Sequence, residues 1–248
     1  MNAGRSLIVH CIGPDPVRPG PTLTGSLSIA EPQAWFATLS SIRGRLDRYR
    51  ALLDPEELAR AGRFRLATDR ERYILGHGLL RVLLGHQISC SPGELVLGRG
   101  EFGKPFIEGH PVHFNLSDTK DAVLVAISPY PIGADVETMN RNTDHERVAG
   151  HYFTPQEVES ISEAADGKRR FLELWTRKEA VLKACGVGLM DDLHSLNVGG
   201  TFNKMMISHP DFVRLAGMEY HVRTASVGPD HLVSLAAEVP FDVQWIEA

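Results

Sequence analysis

The nine residues WTRKEAVLK, Trp175–Lys183, decide how this chain folds. They lie within segment 168–185, whose apolar residues recur at helical spacing, so we predict one long helix there. Lys178 interrupts the apolar stripe, and Glu179 lies four residues before Lys183. A charged group beside a buried stripe is costly unless it has a partner. The helix therefore either carries an ordinary salt bridge or brings a carboxylate and lysines to an internal site.

A second stretch, IGADVE at residues 132–137, is predicted to be a strand. Alternate side chains of a strand point to opposite faces, so Asp135 and Glu137 share one face while their apolar neighbours turn to the core. Two carboxylates about 7 Å apart repel each other unless a cation or solvent lies between them. Mg²⁺ suits such a pair because it commonly binds through one or two carboxylates together with substrate phosphates. The pattern predicts either a magnesium site or a solvated strand end.

Helix-start signals and apolar alternation divide the rest of the chain. Capping patterns that begin a helix occur at residues 54–57, 68–71 and 154–157. Strands are predicted at 94–97, 112–116, 122–127, 132–136, 219–226 and 232–239. Short loops between strands favour antiparallel hairpins. We predict an α+β fold, a pseudo-two-fold pair of similar subdomains, each a long helix packed on a small antiparallel sheet.

The two halves are predicted to meet near residue 130. Residues 1–26 are rich in glycine and proline, so we interpret them as an N-terminal extension with at most a strand at Leu7–Cys11. Residues 27–130 form the predicted N-terminal half, and residues 131–248 form the C-terminal half.

Composition narrows the class of protein. The 248 residues carry a formal net charge of −5 and are 43% hydrophobic, which is typical of a globular protein and argues against a general nucleic-acid-coating surface. The three cysteines have neither metal-site spacing nor a disulfide pattern. We find no signal peptide and no apolar run long enough to cross a bilayer. We expect a cytoplasmic protein that binds neither membrane nor nucleic acid.

Three further segments carry residues suited to a phosphate-bearing ligand. The turn Gly103-Lys104-Pro105 combines a flexible backbone with a point charge, and FNLSD at 114–118 follows it. Five arginines are clustered between residues 60 and 72. Each pattern also fits a solvated turn or surface.

These segments, in this order and spacing, resemble the Sfp-type 4′-phosphopantetheinyl transferases. The matching stretches are GKP at 103–105, FNLS at 114–117, IGADVE at 132–137 and WTRKEAVLKACGVGL at 175–189. The resemblance, which spans roughly residues 54–240, implies a monomer of two α+β halves with the site between them. It also implies a reaction in which the phosphopantetheine arm of coenzyme A moves to a serine of an apo acyl or peptidyl carrier protein. Mg²⁺ would be the cofactor, and adenosine 3′,5′-bisphosphate would be released.

The resemblance further implies roles for single residues. Asp135, Glu137 and Glu179 would hold Mg²⁺, and Glu179 would also be the candidate general base, directly or through water, for the carrier serine. Lys183 would contact the pyrophosphate of coenzyme A, with Lys178 as a second candidate for that contact. The adenosine 3′-phosphate end of coenzyme A would be bound by Arg60, Arg72, Lys104, Asn115 and Ser117.

Asp118 departs from the family pattern, which usually has histidine at this position. An acid beside a phosphate is unfavourable unless it is neutralised or turns away. Three consequences stay open. Arg60 and Arg72 carry more of the phosphate binding, coenzyme A binds more weakly, or Asp118 faces the protein and backbone N–H groups make the contact.

Two other functions would use the same residues. A magnesium-dependent phosphodiesterase or pyrophosphatase would use water as the nucleophile and break down coenzyme A without a carrier. A non-catalytic coenzyme A-binding or carrier-binding module would bind without turnover, although binding alone does not need three carboxylates. We find no motif that distinguishes fatty-acid, polyketide and nonribosomal-peptide carriers.

Overall fold

The computed structural model describes residues 4–21, 30–142, 144–188, 190 and 192–248. The strands are β1 (Arg5–Val17), β2 (Gln33–Thr38), β3 (Gly98–Arg99), β4 (Pro105–Phe106), β5 (His113–Asp118), β6 (Ala122–Ser128), β7 (Gly133–Thr138), β8 (Phe202–Ile207), β9 (Glu219–Val227), β10 (His231–Ala237) and β11 (Gln244–Glu247). The helices are α1 (Leu39–Ile42), α2 (Leu46–Arg50), α3 (Pro55–Gly62), α4 (Ala67–Gln87), α5 (His145–Tyr152), α6 (Pro155–Ser162), α7 (Gly167–Cys185) and α8 (Pro210–Leu215).

One sheet is built mainly from the C-terminal half, in the strand order β7-β10-β9-β1-β8. Strand β1 pairs parallel with β9 and antiparallel with β8, so it lies inside this sheet. Helix α7 packs across β7 and β10. Leu7, Val9 and Cys11 on one face of β1 share an apolar core with the buried side of α7.

The second sheet has the order β11-β2-β6-β5, and helix α4 shares its apolar core. Strand β11 pairs parallel with β2. A third apolar cluster joins the two sheets, because Phe36 and Leu124 of the second sheet meet Val136 and Leu235 of the first. This packing places β5, at the edge of one sheet, beside β7, at the edge of the other.

Two of the three predicted helix starts follow the local signals, but the pattern at 68–71 does not cap α4, which begins at Ala67 after Leu66 without a side-chain cap. The capping patterns at 54–57 and 154–157 are confirmed, since Asp54 and Thr154 each accept the backbone N–H three residues on and the glutamate there bonds back. Gly186 ends α7 with φ of 78°, a left-handed conformation that glycine adopts without steric cost. Within the described ranges, every helix is too short or too polar to span a bilayer.

The α+β class is confirmed, and the structure adds details that differ from the local predictions. Residues 5–17 form one strand, longer than the predicted Leu7–Cys11. The predicted strand at 94–97 is wrong, because residues 92–94 form a 3-10 turn and residues 95–97 lie outside any strand. Strands β1 and β11 each pair in parallel with a strand from the opposite end of the chain. We propose that the boundary between the halves stays near residue 130, with these two strands exchanged across it.

Candidate active site

Strand β7 turns its two carboxylates away from the cluster between the sheets. Ala134 and Val136 pack in that cluster, so Asp135 and Glu137 point to the opposite face. Both carboxylate residues are buried, at 5% and 6% exposure. Buried charges need partners, and the strand alone supplies none.

Helix α7 comes unusually close to this face of β7. A Cβ on Gly133 would overlap the carbonyl oxygen of Ala180 and the backbone of the following turn, so only glycine allows the approach. Glu179 and Lys183 lie one helical turn apart, and both interact electrostatically with Asp135. Together with Asp135 and Glu137 they form a carboxylate cluster. The close contact between helix and strand therefore assembles groups from two segments of the sequence.

Lys183 and Ser117 share one oxygen of Asp135. The Lys183 ammonium lies 2.6 Å from Asp135 Oδ1 and 3.1 Å from Ser117 Oγ, and the Ser117 hydroxyl donates to the same carboxylate oxygen at 2.8 Å. The other oxygen, Asp135 Oδ2, is buried and has no hydrogen-bond partner among the described residues. A buried carboxylate oxygen without a partner is costly, and a cation would satisfy it.

Two more carboxylates of the cluster resist ionisation. Burial and the nearby Asp135 charge raise the pKa of Glu137 and that of Glu179 to about 7. Lys183 opposes the shift at both positions. Like charges in a water-poor environment disfavour the ionised forms, and a divalent cation would relieve that repulsion.

The three carboxylates fit a hard divalent cation such as Mg²⁺. They offer oxygen ligands from two packed elements, and one of these oxygens, Asp135 Oδ2, has no hydrogen-bond partner within the described ranges. Their ligand oxygens are not all within 4.8 Å of one another. Asp135 and Glu137 pair instead with separate cations, Lys183 and Arg141, each at 2.6 Å.

The structure adds Thr119 and Arg141, which the sequence analysis missed. Thr119 Oγ1 donates to Glu137 Oε2 at 3.1 Å, and the Arg141 guanidinium lies 2.6 Å from Glu137 Oε1. Thr119 comes two residues after Ser117, so the alternation of β5 could have indicated it. Arg141 lies in the turn that follows β7. A turn has no periodicity from which the direction of its side chains could be predicted.

Asn115 and Ser117, which the resemblance assigns to coenzyme A, join the two halves. Asn115 Oδ1 accepts the Ala134 N–H at 3.0 Å, and Ser117 Oγ accepts the Val136 N–H at 3.3 Å. Edge strands β5 and β7 are thus linked through side chains rather than by strand pairing. These bonds fix the carboxylates of β7 relative to the N-terminal half.

Asp118 and Arg72 form an ion pair at the end of β5. Arg72 Nε lies 2.6 Å from Asp118 Oδ2, and Nη2 of the same arginine lies 3.1 Å from Asp69 Oδ1. Burial raises the pKa of Asp118, and the Arg72 charge opposes that shift. The acid that departs from the family pattern is therefore neutralised by an arginine of α4.

Lys104 caps the end of helix α7. Its ammonium donates to the carbonyl oxygens of Ile132, Lys183 and Ala184 at 3.2, 2.6 and 3.0 Å. Burial lowers the pKa of Lys104 to about 8. Because a lysine ammonium has three N–H donors, these bonds use all of them. We therefore assign Lys104 to helix capping in place of the implied phosphate contact.

The structure does not bring Lys178 or Arg60 into contact with the cluster. Lys178 is fully buried in the C-terminal core, where its ammonium lies 2.8 Å from Glu157 and 4.8 Å from the centre of the Phe153 ring. Arg60 is exposed, and its guanidinium lies 5.7 Å from the centre of the Tyr73 ring.

Comparisons with known proteins show which family the chain belongs to. The model of the 4′-phosphopantetheinyl transferase superfamily matches residues 131–209, and that of the N-terminal region of 4′-phosphopantetheinyl transferases matches residues 38–130. The 4′-phosphopantetheinyl transferase HetI of Nostoc sp. is 34% identical over 166 residues, which cover 64% of this chain and 70% of that protein. This chain belongs to the 4′-phosphopantetheinyl transferase family.

Other relatives of this phosphopantetheinyl transferase cover similar shares. Protein slr0495 of Synechocystis sp. is 33% identical over 175 residues, covering 68% of this chain and 70% of that protein. The 4′-phosphopantetheinyl transferase Sfp of Bacillus subtilis strain 168 is 26% identical over 198 residues, covering 78% and 86%. The resemblance seen in the sequence is confirmed, and the chain is a transferase. The hydrolytic alternative has no support in these comparisons.

Proposed function

We propose that this transferase moves the phosphopantetheine arm of coenzyme A to a serine of an apo acyl or peptidyl carrier protein at the cluster of Asp135, Glu137, Glu179 and Lys183. One observation supports this assignment above the others. Three carboxylates and a lysine gather at the junction of the two halves, and Asp135 Oδ2 is buried without a hydrogen-bond partner in the part of the chain that the structure describes. The four cluster residues belong to the C-terminal half, and Ser117 and Thr119 of the N-terminal half support them. Because one chain supplies all six residues, we propose that it acts as a monomer. Action in the cytoplasm stays a prediction.

Asp135, Glu137 and Glu179 are the proposed ligands of Mg²⁺. When bound, the ion would supply positive charge that offsets the negative charge developing on the pyrophosphate of coenzyme A when its P–O bond breaks. Ser117 and Thr119 orient the carboxylates, because each donates a hydrogen bond to one of them. Such supporting bonds set the direction in which a carboxylate presents its free oxygen.

Glu179 is the proposed base, and Lys183 is the proposed electrostatic partner of the leaving phosphate. Glu179 would be ionised when Mg²⁺ is bound, and its carboxylate would accept the proton of the carrier serine directly or through water. Burial alone would lower the pKa of Lys183, but the Asp135 and Glu179 charges raise it, so its ammonium stays charged. A charged donor held in place stabilises phosphate oxygens without further reorganisation.

The direct test is transfer to a panel of apo carriers. The protein is incubated with coenzyme A and Mg²⁺, and the phosphopantetheine mass added to each carrier is measured by mass spectrometry. We expect modification of at least one carrier and none after chelation of Mg²⁺. A control without a carrier measures coenzyme A breakdown, which we expect to be absent. No modified carrier in the panel, beside an active related transferase, would contradict the proposal.

Stabilisation by Mg²⁺ is expected to be larger at pH 8 than at pH 6. The folded pKa values of Glu137 and Glu179, about 7, exceed the usual value of 4.5. Between these pKa values the folded state binds more protons than the unfolded state. The metal-free protein therefore loses stability as the pH rises from about 4.5 to about 7. Metal binding requires ionised carboxylates, so protons compete with Mg²⁺ at pH 6.

The measurement is the Mg²⁺-induced change in Tm at both pH values, with NaCl at matched ionic strength as the control. We expect apparent Mg²⁺ affinity to fall by at least about tenfold from pH 8 to pH 6, as for one group of pKa near 7. Equal Tm changes at both pH values would mean that the carboxylates do not bind the ion in competition with protons.

Replacing Asp118 with asparagine is expected to lower KM for coenzyme A. We propose that Arg72 contacts the 3′-phosphate, and Asp118 now competes for its guanidinium at 2.6 Å. The substitution removes a like charge and frees a donor for phosphate, so we expect about a tenfold decrease, which corresponds to about 1.4 kcal/mol. Coenzyme A lacking the 3′-phosphate is the matched substrate, and its KM should not change. A higher KM for coenzyme A would instead make Asp118 the residue that positions Arg72.

A further inference from the structure

His10, Glu219 and His221 form a cluster of metal-ligating side chains apart from the transferase site. Strands β1 and β9 are parallel neighbours, and His10 lies opposite His221 in their register. Glu219 precedes His221 by two residues, so both side chains leave the same face of the sheet. Tyr220, between them, packs into the core shared with α7. The cluster therefore lies on the face of the sheet that α7 does not cover.

The three side chains already approach the spacing of ligands around one ion. Glu219 Oε1 lies 2.8 Å from His10 Nε2 and 3.5 Å from His221 Nε2. The two imidazole rings are stacked, with their centres 4.7 Å apart. One ligand atom from each residue lies within 4.8 Å of the other two. Ligands at about 2.1 Å from a tetrahedral ion are themselves about 3.4 Å apart, which is close to these separations. Because the stacked rings lie in separate parallel planes, one ring has to rotate before both imidazole lone pairs meet at the same ion.

We propose that His10, Glu219 and His221 bind a divalent transition-metal ion of the class that prefers imidazole, with Zn²⁺ as its representative. Two imidazoles and one carboxylate are a ligand set that Zn²⁺ accepts, with a fourth position left for water. Mg²⁺ prefers oxygen ligands and has little affinity for imidazole. The two sites of this transferase thus differ in the class of metal.

The surroundings of the cluster permit ion entry. The three side chains are between 22% and 49% exposed, so solvent reaches the ligand atoms. Arg223, the next residue on this face of β9, is paired with Asp242 at 2.6 Å, which offsets part of its charge. Metal binding would tie β1 to β9 and stabilise the folded state.

The test is a calorimetric titration of Zn²⁺ into the full chain after removal of metals, with excess Mg²⁺ present to occupy the carboxylate cluster. We expect one Zn²⁺ per chain and a higher Tm in its presence. His221→Ala and Glu219→Gln are each expected to weaken binding by at least about tenfold, a scale that even outer-shell partners of metals reach. His110→Ala, at an exposed histidine outside the cluster, is the matched control and should bind Zn²⁺ as the unaltered protein does.

Three results would overturn the proposal. They are no binding by the unaltered protein, equal affinity in the unaltered protein and both cluster variants, and loss of the ion in Glu179→Gln alone. The last would place the ion at the transferase site. Glu219→Gln keeps the shape of the side chain at the surface, so the test remains decisive if His221→Ala fails to fold. Carrier modification with Mg²⁺ is expected to be unchanged in both cluster variants.

Discussion

Replacing Glu179 with glutamine is expected to lower kcat for carrier modification by more than the about 10²–10⁴-fold that is typical of losing a lone acid–base group. The change removes a proposed metal ligand and the proposed base at once, while it keeps the size of the side chain. Folding should not suffer. The raised pKa of Glu179, about 7, means that its ionised form is disfavoured in the metal-free fold. The loss should therefore appear in turnover and not in Tm.

The measurement is the rate of phosphopantetheine transfer to a saturating carrier over a series of Mg²⁺ concentrations. Glu163→Gln, at an exposed glutamate after α6, is the matched control and should keep normal turnover. If high Mg²⁺ restores the rate of Glu179→Gln, the residue acts only as a metal ligand. If the rate stays low at saturating Mg²⁺, the base role stands. Near-normal turnover at ordinary Mg²⁺ concentration would remove Glu179 from the mechanism.

Replacing Lys178 with methionine is expected to lower the free energy of unfolding by about 3–5 kcal/mol, the usual cost of removing one partner of a buried ion pair. Lys178 and Glu157 are 0% and 1% exposed in their side chains and lie 2.8 Å apart. Methionine fills similar space, so the cost arises from the Glu157 carboxylate left without its cation and from the Tyr152 and Leu193 carbonyls left without their donor. Turnover of the folded variant should stay within about twofold of the unaltered protein, because Lys178 does not reach the carboxylate cluster. A substitution outside a site usually has a small effect on it.

Denaturant unfolding of Lys178→Met beside Lys120→Met, at an exposed lysine, measures this effect. Adding Glu157→Gln to the first variant should recover part of the lost stability, because it removes the unpaired charge. Unchanged stability together with a kcat loss of about 100-fold or more, the scale of a catalytic group, would return Lys178 to the mechanism that the family resemblance implied.

The carboxylate part of the site was predictable because its residues follow simple periodicities. Alternation along β7 places Asp135 and Glu137 on one face, and one helical turn separates Glu179 from Lys183. The contact between the two elements was not visible in either segment. It depends on the missing Cβ of Gly133, whose effect appears only when the helix lies against the strand.

Strand pairing was the part of the fold least accessible to local patterns. Pro14 and Pro16 favoured a loop, yet β1 continues past them, with a shift in register between Ile12 and Asp15. Its partners β8 and β9 lie about 200 residues away in the sequence. No short-range signal specifies a pairing of that kind, and the parallel pair β2–β11 presents the same difficulty.

The sequence by itself determined the α+β class, the transferase family and the carboxylates that form the candidate site. Tertiary structure decided which lysine belongs to that site. Lys178 and Lys183 lie on one helix about 140° apart around its axis, so they face different neighbours. Lys183 meets Asp135 of β7, whereas Lys178 meets Glu157 of α6. The role of a charged side chain depends on the partner that packing places beside it, and those partners come from distant parts of the chain.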